Sequence, residues 1–109
     1  MPAVPNILAE VRRTAALKIL FLPHALRQMS RPDRMISAAD VRRVVEAGDL
    51  IESYPDDARG HSCLLLGRVD DKRSIHVVCS PKNEYLAVIT AYVPSLEEWE
   101  SDLRTRRKS

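Results

Sequence analysis

The chain is poor in the residues that announce several common functions. Five of its 109 residues are aromatic, with a single Phe and a single Trp, which argues against an RNA platform built by stacking bases on exposed rings. It has two cysteines, Cys63 and Cys79, and no Cys-x-x-Cys pair; both lie in apolar runs and read as small core residues. His61-x-Cys63 alone is too little for zinc, and no acidic cluster suggests another metal, so no metal and no cofactor are expected. No stretch approaches the roughly 18 apolar residues needed to span a bilayer. The opening MPAVPNILAEVRR carries its charges after its short apolar patch, the reverse of a secretory signal. The expectation is a cytoplasmic protein without membrane contact. With 3 Gly and 7 Pro, little suggests disorder. There is no internal repeat, and the only biased segment is the basic tail TRRKS.

What is present fits one ordered domain over residues 1–109, with 45% apolar and 29% charged residues around a single core. The net charge of +2 is unevenly spread. Residues 1–45 carry eight Lys/Arg against three Asp/Glu, residues 46–103 five against twelve, and residues 104–108 four against none. Basic ends around an acidic middle can offer an electropositive surface to an anion such as RNA. Arginine-rich solvated helix faces are the plainer explanation.

Local signals divide the chain. Asn6 can cap a helix to about Ala16 in which Ile7, Leu8, Val11 and Ala15 share one side. LKILFL is either a short strand or the entry to the next helix, with a strand preferred. Pro23 opens HALRQMSR, which turns Leu26 and Met29 inward and His24, Gln28 and Arg31 outward. Ser37 and Asp40 form a capping-box pattern with Ile36 and Val41 as a staple, and Gly48 ends that helix after Ala47. From Leu50 the period is that of strands: LIESY, SCLLLGRV, SIHVVCS and YLAVITAYV, joined by short connections that favour an antiparallel meander. Ser95 and Glu98 then suggest a capping box for a last helix, LEEWESDLRTRRK, with Leu96, Trp99 and Leu103 inward. The predicted fold is α+β: N-terminal helices, a four-stranded antiparallel sheet and a closing C-terminal helix.

The final hairpin holds the polar residues of interest. His76 points away from Ile75, Val77 and Cys79, while Leu86, Val88, Thr90 and Tyr92 share one side of the next strand. A five-residue loop, Pro81 to Tyr85, pairs His76 with Thr90 and leaves Tyr92 diagonal to it; a loop of Pro81 to Glu84 sets His76 against Ile89 instead. The first is preferred, because a buried imidazole or phenol needs a partner. Equally, His76 can be a half-buried histidine bonded to a backbone carbonyl, and Tyr92 an edge residue in water.

Together, HALRQM, RMISAADVRRVVEAGDLIESYP, CLLLG, IHVV and VITAYVPSLEEWESDLRTRR resemble the small bacterial domains catalogued as domain of unknown function 4258. The pattern comprises a histidine-led helix, Arg-x-Ile-Ser/Thr-x-x-Asp-Val, Gly then Ile-Glu-x-Tyr-Pro, a His-Val-Val strand, and Thr-Ala-Tyr-x-Pro before a tryptophan and an arginine pair. It divides the chain into residues 1–22, a family core over 23–104, and a basic tail over 105–109. SRPDRM is about two residues longer than the usual spacing, so Arg34 fits the family arginine better than Arg31. That family is similar to type II toxins of the broad RelE/ParE and BrnT-like group. The resemblance implies a RelE-like toxin fold and an mRNA-directed endoribonuclease, neutralised by a small zinc-finger or helix-turn-helix antitoxin.

Metal-free RNA cleavage needs the 2′-hydroxyl deprotonated, the 5′-oxygen protonated and the phosphorane charge stabilised. His76 is the natural acid-base candidate because its ordinary pKa lies nearest neutrality. Tyr92 can orient the site or donate a proton, and His24 is a second acid-base candidate if its helix crosses the sheet edge. Arg34, Arg106 and Arg107 can clamp phosphate, and Arg31 and Arg104 extend the basic, RNA-binding set. The competing expectations are a non-catalytic RNA- or protein-binding module of the same fold, and a ParE-like poison of a protein target such as gyrase.

Overall fold

The structure is a computed structural model describing residues 6–108. Its elements run α1 (Ile7–Leu17), β1 (Ile19–Phe21), α2 (Pro23–Met29), α3 (Ala38–Ala47), β2 (Asp49–Tyr54), β3 (Ser62–Arg68), β4 (Ser74–Pro81) and β5 (Leu86–Tyr92). The fold is α+β, with three helices and one five-stranded sheet of order β1-β5-β4-β3-β2.

The helices follow their local signals. The Asn6 side chain accepts the Leu8 N–H at 3.0 Å and so caps α1, which buries Ile7, Val11, Thr14 and Ala15. In α3 the full capping box forms: Ser37 Oγ accepts the Asp40 N–H at 3.0 Å, and Asp40 Oδ2 accepts the Ser37 N–H at 3.0 Å. Ile36 and Val41 are buried at the staple positions. Substituting Ser37 by alanine is expected to cost about 1 kcal/mol of stability through the orphaned N–H, measurable as a lower urea midpoint at unchanged slope. The end of α3 lies so close to β3 that a Cβ on Gly48 would come within 2.5 Å of the Val44 carbonyl oxygen and 2.8 Å of the Leu66 carbonyl oxygen. In α2 the buried pair is Ala25 and Met29, whereas Leu26, expected inward, is 49% exposed. This seven-residue helix rests on β5 through an i, i+4 pair, so Leu26 falls outside its narrow apolar stripe.

The four expected strands form the antiparallel run β2-β3-β4-β5. The sheet is mixed rather than purely antiparallel because β1 adds a fifth strand, parallel to β5, with Ile19, Leu20 and Phe21 opposite Leu86, Ala87 and Val88. The Leu86 N–H donates to the Lys18 carbonyl at 2.8 Å and the Leu22 N–H to the Val88 carbonyl at 3.0 Å. The apolar run thereby covers what would be an open edge of β5. Against the helices the sheet presents Cys63, Leu65, Ile75, Val77, Cys79, Leu86, Val88 and Ala91, which join the helical residues in one core. Both cysteines are buried free thiols, their Sγ atoms 4.0 Å apart.

The hairpin adopts neither expected register. Pro81 pairs with Leu86, leaving Lys82–Tyr85 as the loop, and a bulge between the pairs Cys79–Val88 and Val78–Thr90 makes Ile89 the extra residue. His76 consequently stands directly opposite Tyr92, and Val78, not His76, opposite Thr90.

The predicted C-terminal helix does not form; residues 95–106 make successive turns and one isolated bridge, Trp99 with Arg106. Ser95 Oγ accepts from the Glu97 N–H rather than from Glu98. The Asp102 carboxylate accepts the Arg104 and Thr105 N–H groups and the Thr105 hydroxyl, offering the backbone an alternative to helical bonds. Leu103 takes the left-handed conformation, φ 60°. Leu96, expected inward, is 59% exposed, while Trp99 is buried.

Candidate functional site

The sheet face opposite the helices carries one connected polar cluster. Its centre is His76 on β4, between Leu66 on β3 and Tyr92 on β5 and 0% exposed. Its Nε2 lies 2.8 Å from the Leu103 carbonyl oxygen. A carbonyl only accepts, so Nε2 carries a proton. In the neutral ring Nδ1 is then an acceptor, and the Tyr92 hydroxyl, 3.1 Å away, donates to it. Trp99 closes over the ring edge-on, centroids 4.5 Å apart and planes at 86°. Burial pushes the imidazole pKa below its ordinary value, against the opposing influence of the Leu103 carbonyl and the Glu52 charge. Burial raises the pKa of half-buried Tyr92, while the Arg106 and Arg34 charges act in the opposite direction.

Beside the histidine lies an ion-pair network. Arg106 grips Glu52 with two hydrogen bonds of 2.9 and 3.0 Å and lays its guanidinium 4.6 Å from the Trp99 ring centroid. The Tyr54 hydroxyl donates to Glu52 at 2.5 Å. Arg106 holds the Glu52 carboxyl below its ordinary pKa, and Arg106 itself is raised by the same contact. Burial first, then the Glu52 bond, pushes the Tyr54 hydroxyl up to about 12.

The fold thus brings together His76, Tyr92 and Arg106, with Arg34 near enough for its charge to act on Tyr92. Arg34 also donates to the Gln28 side chain at 2.6 Å. His24 is exposed on α2 and shares none of the cluster's contacts. Arg31 pairs with Asp33 at 3.4 Å, and Arg104 pairs with Asp49. Arg107 holds Glu100 at 2.9 Å and the Leu96 carbonyl at 2.5 Å; it fastens the C-terminal turns. Glu52, Tyr54 and the Leu103 carbonyl were absent from the sequence-derived site. Glu52 and Tyr54 had a signal in IESYP, where alternation places both on one strand face; a backbone carbonyl in a turn has none.

Among the described residues no group of three or more His, Cys, Asp or Glu is placed to hold a metal ion, and no helix is long and apolar enough to cross a membrane. These features define a small α+β domain whose polar cluster is built on one sheet face and roofed by its C-terminal turns. By sequence the chain belongs to the family described as Domain of unknown function (DUF4258), whose match spans residues 21–93, well over half of the chain. That span runs from the last residue of β1 to just past β5, so the turns that carry Trp99, Leu103 and Arg106 lie beyond it. No curated protein and no solved structure matches the chain.

Proposed function

We propose that the chain is the toxin of a bacterial type II toxin-antitoxin pair of the RelE/ParE and BrnT-like kind, a metal-independent endoribonuclease acting on mRNA in the cytoplasm. The observation that carries this reading is the 3.1 Å contact between His76 and Tyr92, with the charges of Arg34 and Arg106 acting on the same hydroxyl. A titratable nitrogen, a phenol and two permanently charged forks supply what phosphodiester transesterification needs: a proton acceptor for the 2′-hydroxyl and cations for the phosphorane. A small zinc-finger or helix-turn-helix antitoxin would neutralise it.

A second reading, a non-catalytic RNA- or protein-binding module, is favoured by the complete burial of His76 and the occupation of both its nitrogens. The two separate on induction of the chain in bacteria, alone and with its neighbouring gene, and on incubation of the purified protein with RNA in EDTA. Growth arrest with loss of mRNA, rescue by the neighbour and EDTA-resistant cleavage are expected. Normal growth with intact transcripts would sink the nuclease reading, and DNA damage without mRNA decay would identify a gyrase-type poison.

A further inference from the structure

We propose that Tyr92, not His76, is the catalytic residue that meets the RNA, and that His76 is a positioning residue and proton acceptor behind it, its tautomer set by the Leu103 carbonyl. This inference rests on the nuclease reading and assigns the proton path within that site.

The geometry leaves His76 little choice. It is fully buried, enclosed by Leu66 from β3, Tyr92 from β5, and Trp99 and the Leu103 carbonyl from the C-terminal turns, with the charges of Glu52 on β2 and Arg106 acting on it. A 2′-hydroxyl cannot approach either ring nitrogen without displacing a protein group. Among the described residues, the one polar side chain bonded to the ring is Tyr92, which is only half-buried and lies within the field of two arginines.

The arrangement has the logic of a hydroxyl activated by an imidazole that a third group orients. The Leu103 carbonyl holds the Nε2 proton, so the Nδ1 lone pair faces the Tyr92 hydroxyl. As the 2′-oxygen attacks phosphorus, its proton passes to the Tyr92 oxygen while the phenolic proton moves to Nδ1. The P–O bond to the 5′-oxygen breaks, and that oxygen takes a proton from water. The imidazolium formed keeps its Nε2–H on the Leu103 carbonyl; that bond and the Glu52 charge favour it, against burial and the Arg106 charge, so it is a transient species. The proton then returns to solvent through Tyr92. The turns beyond the family match supply the carbonyl that sets the direction of this relay.

Two measurements on the full chain test this. Two-bond ¹H–¹⁵N NMR on wild-type protein reads the tautomer without relying on any variant: the proton is expected on Nε2, and the Nδ1 signal is expected to move in Tyr92→Phe. Cleavage of a structureless RNA is expected to fall about 100-fold or more in Tyr92→Phe at unchanged melting temperature, and the wild-type rate is expected to fall at acid pH as Nδ1 becomes protonated. A proton on Nδ1, or a Tyr92→Phe variant that cuts within threefold of wild type, overturns the relay while leaving the nuclease reading in place. Wild-type protein that cuts no RNA overturns that reading and the relay with it.

Discussion

Replacing Trp99 with alanine is expected to lower the unfolding free energy by about 3–5 kcal/mol, as for a large aromatic removed from a packed site. The residue is 2% exposed. One side meets His76 at 4.5 Å between centroids, and its ring also receives the Arg106 guanidinium. Truncation leaves a void against the imidazole and takes from Arg106 the surface that helps hold it on Glu52. A domain of this size holds roughly 5–15 kcal/mol in total, and each kcal/mol shifts the midpoint by about 4–8 °C in small domains. The melting temperature should therefore fall by more than about 10 °C. Because the chain has one Trp, unfolding is best followed by far-ultraviolet circular dichroism rather than by tryptophan fluorescence. A loss below about 1 kcal/mol would mean that the C-terminal turns are not part of the cooperative fold.

That expectation bears on what could be read from residues alone. The phase that places Trp99 in the core is that of a helix that does not form. The burial was legible because an indole between Leu96 and Leu103 in an acidic and basic surround has few other places to go. The conformation was not, because the Ser95 and Asp102 side chains accept nearby backbone N–H groups, and Asp102 also holds the Thr105 hydroxyl; such competition is invisible to apolar spacing. By contrast, α3 was legible to the residue: its capping box, staple and terminal glycine are all local and agree with one another. The strand β1 was legible as a strand but not as a neighbour of β5, since a parallel pairing across two intervening helices and three strands leaves no local trace.

Of the polar cluster, His76, Tyr92 and Arg106 were legible as residues, but the geometry that joins them was not. Of the two loops the sequence suggests for the last hairpin, Pro81–Tyr85 and Pro81–Glu84, the structure uses neither; its four-residue loop is shifted to Lys82–Tyr85. Unbroken, that register would set His76 opposite Ala91 and send Tyr92 to the helix side of the sheet. The bulge at Ile89 restores the match: Leu86 and Val88 stay in the core before it, Ala91 takes over after it, and Tyr92 turns to His76. A bulge inserts one residue and so exchanges the faces of everything beyond it. Nothing in VITAY marks its position. A buried imidazole still needs a partner, and the bulge supplies Tyr92 directly opposite His76, where the expected register had put Thr90. His24 lies apart from the cluster, because helix α2 buries Ala25 and Met29 and leaves His24 exposed.

The same burial predicts a distinctive acid limb in the stability of the fold. Unfolded, His76 takes up its proton near pH 6.5; folded, enclosure behind Trp99 keeps its pKa lower. Below pH 6.5 the unfolded chain therefore binds more protons than the folded one, and stability falls as pH drops. Between the unfolded and folded pKa values the loss is about 1.4 kcal/mol per pH unit, and above pH 6.5 the contribution is fully present. The carboxyls of Glu52, Asp70 and Asp102, whose pKa values are lowered by Arg106 and by backbone N–H donors, also weaken the fold in acid, but only as pH approaches and passes their ordinary values near 4. Two windows result, and the upper one belongs to His76. Urea midpoints measured from pH 7.5 to 4.5 should decline for the wild type and stay nearly level for His76→Leu, which fills the space without titrating. A wild type as flat as the variant would mean that the folded imidazole is as easily protonated as the unfolded one. Enclosure behind Trp99 would then not be what sets the imidazole's pKa.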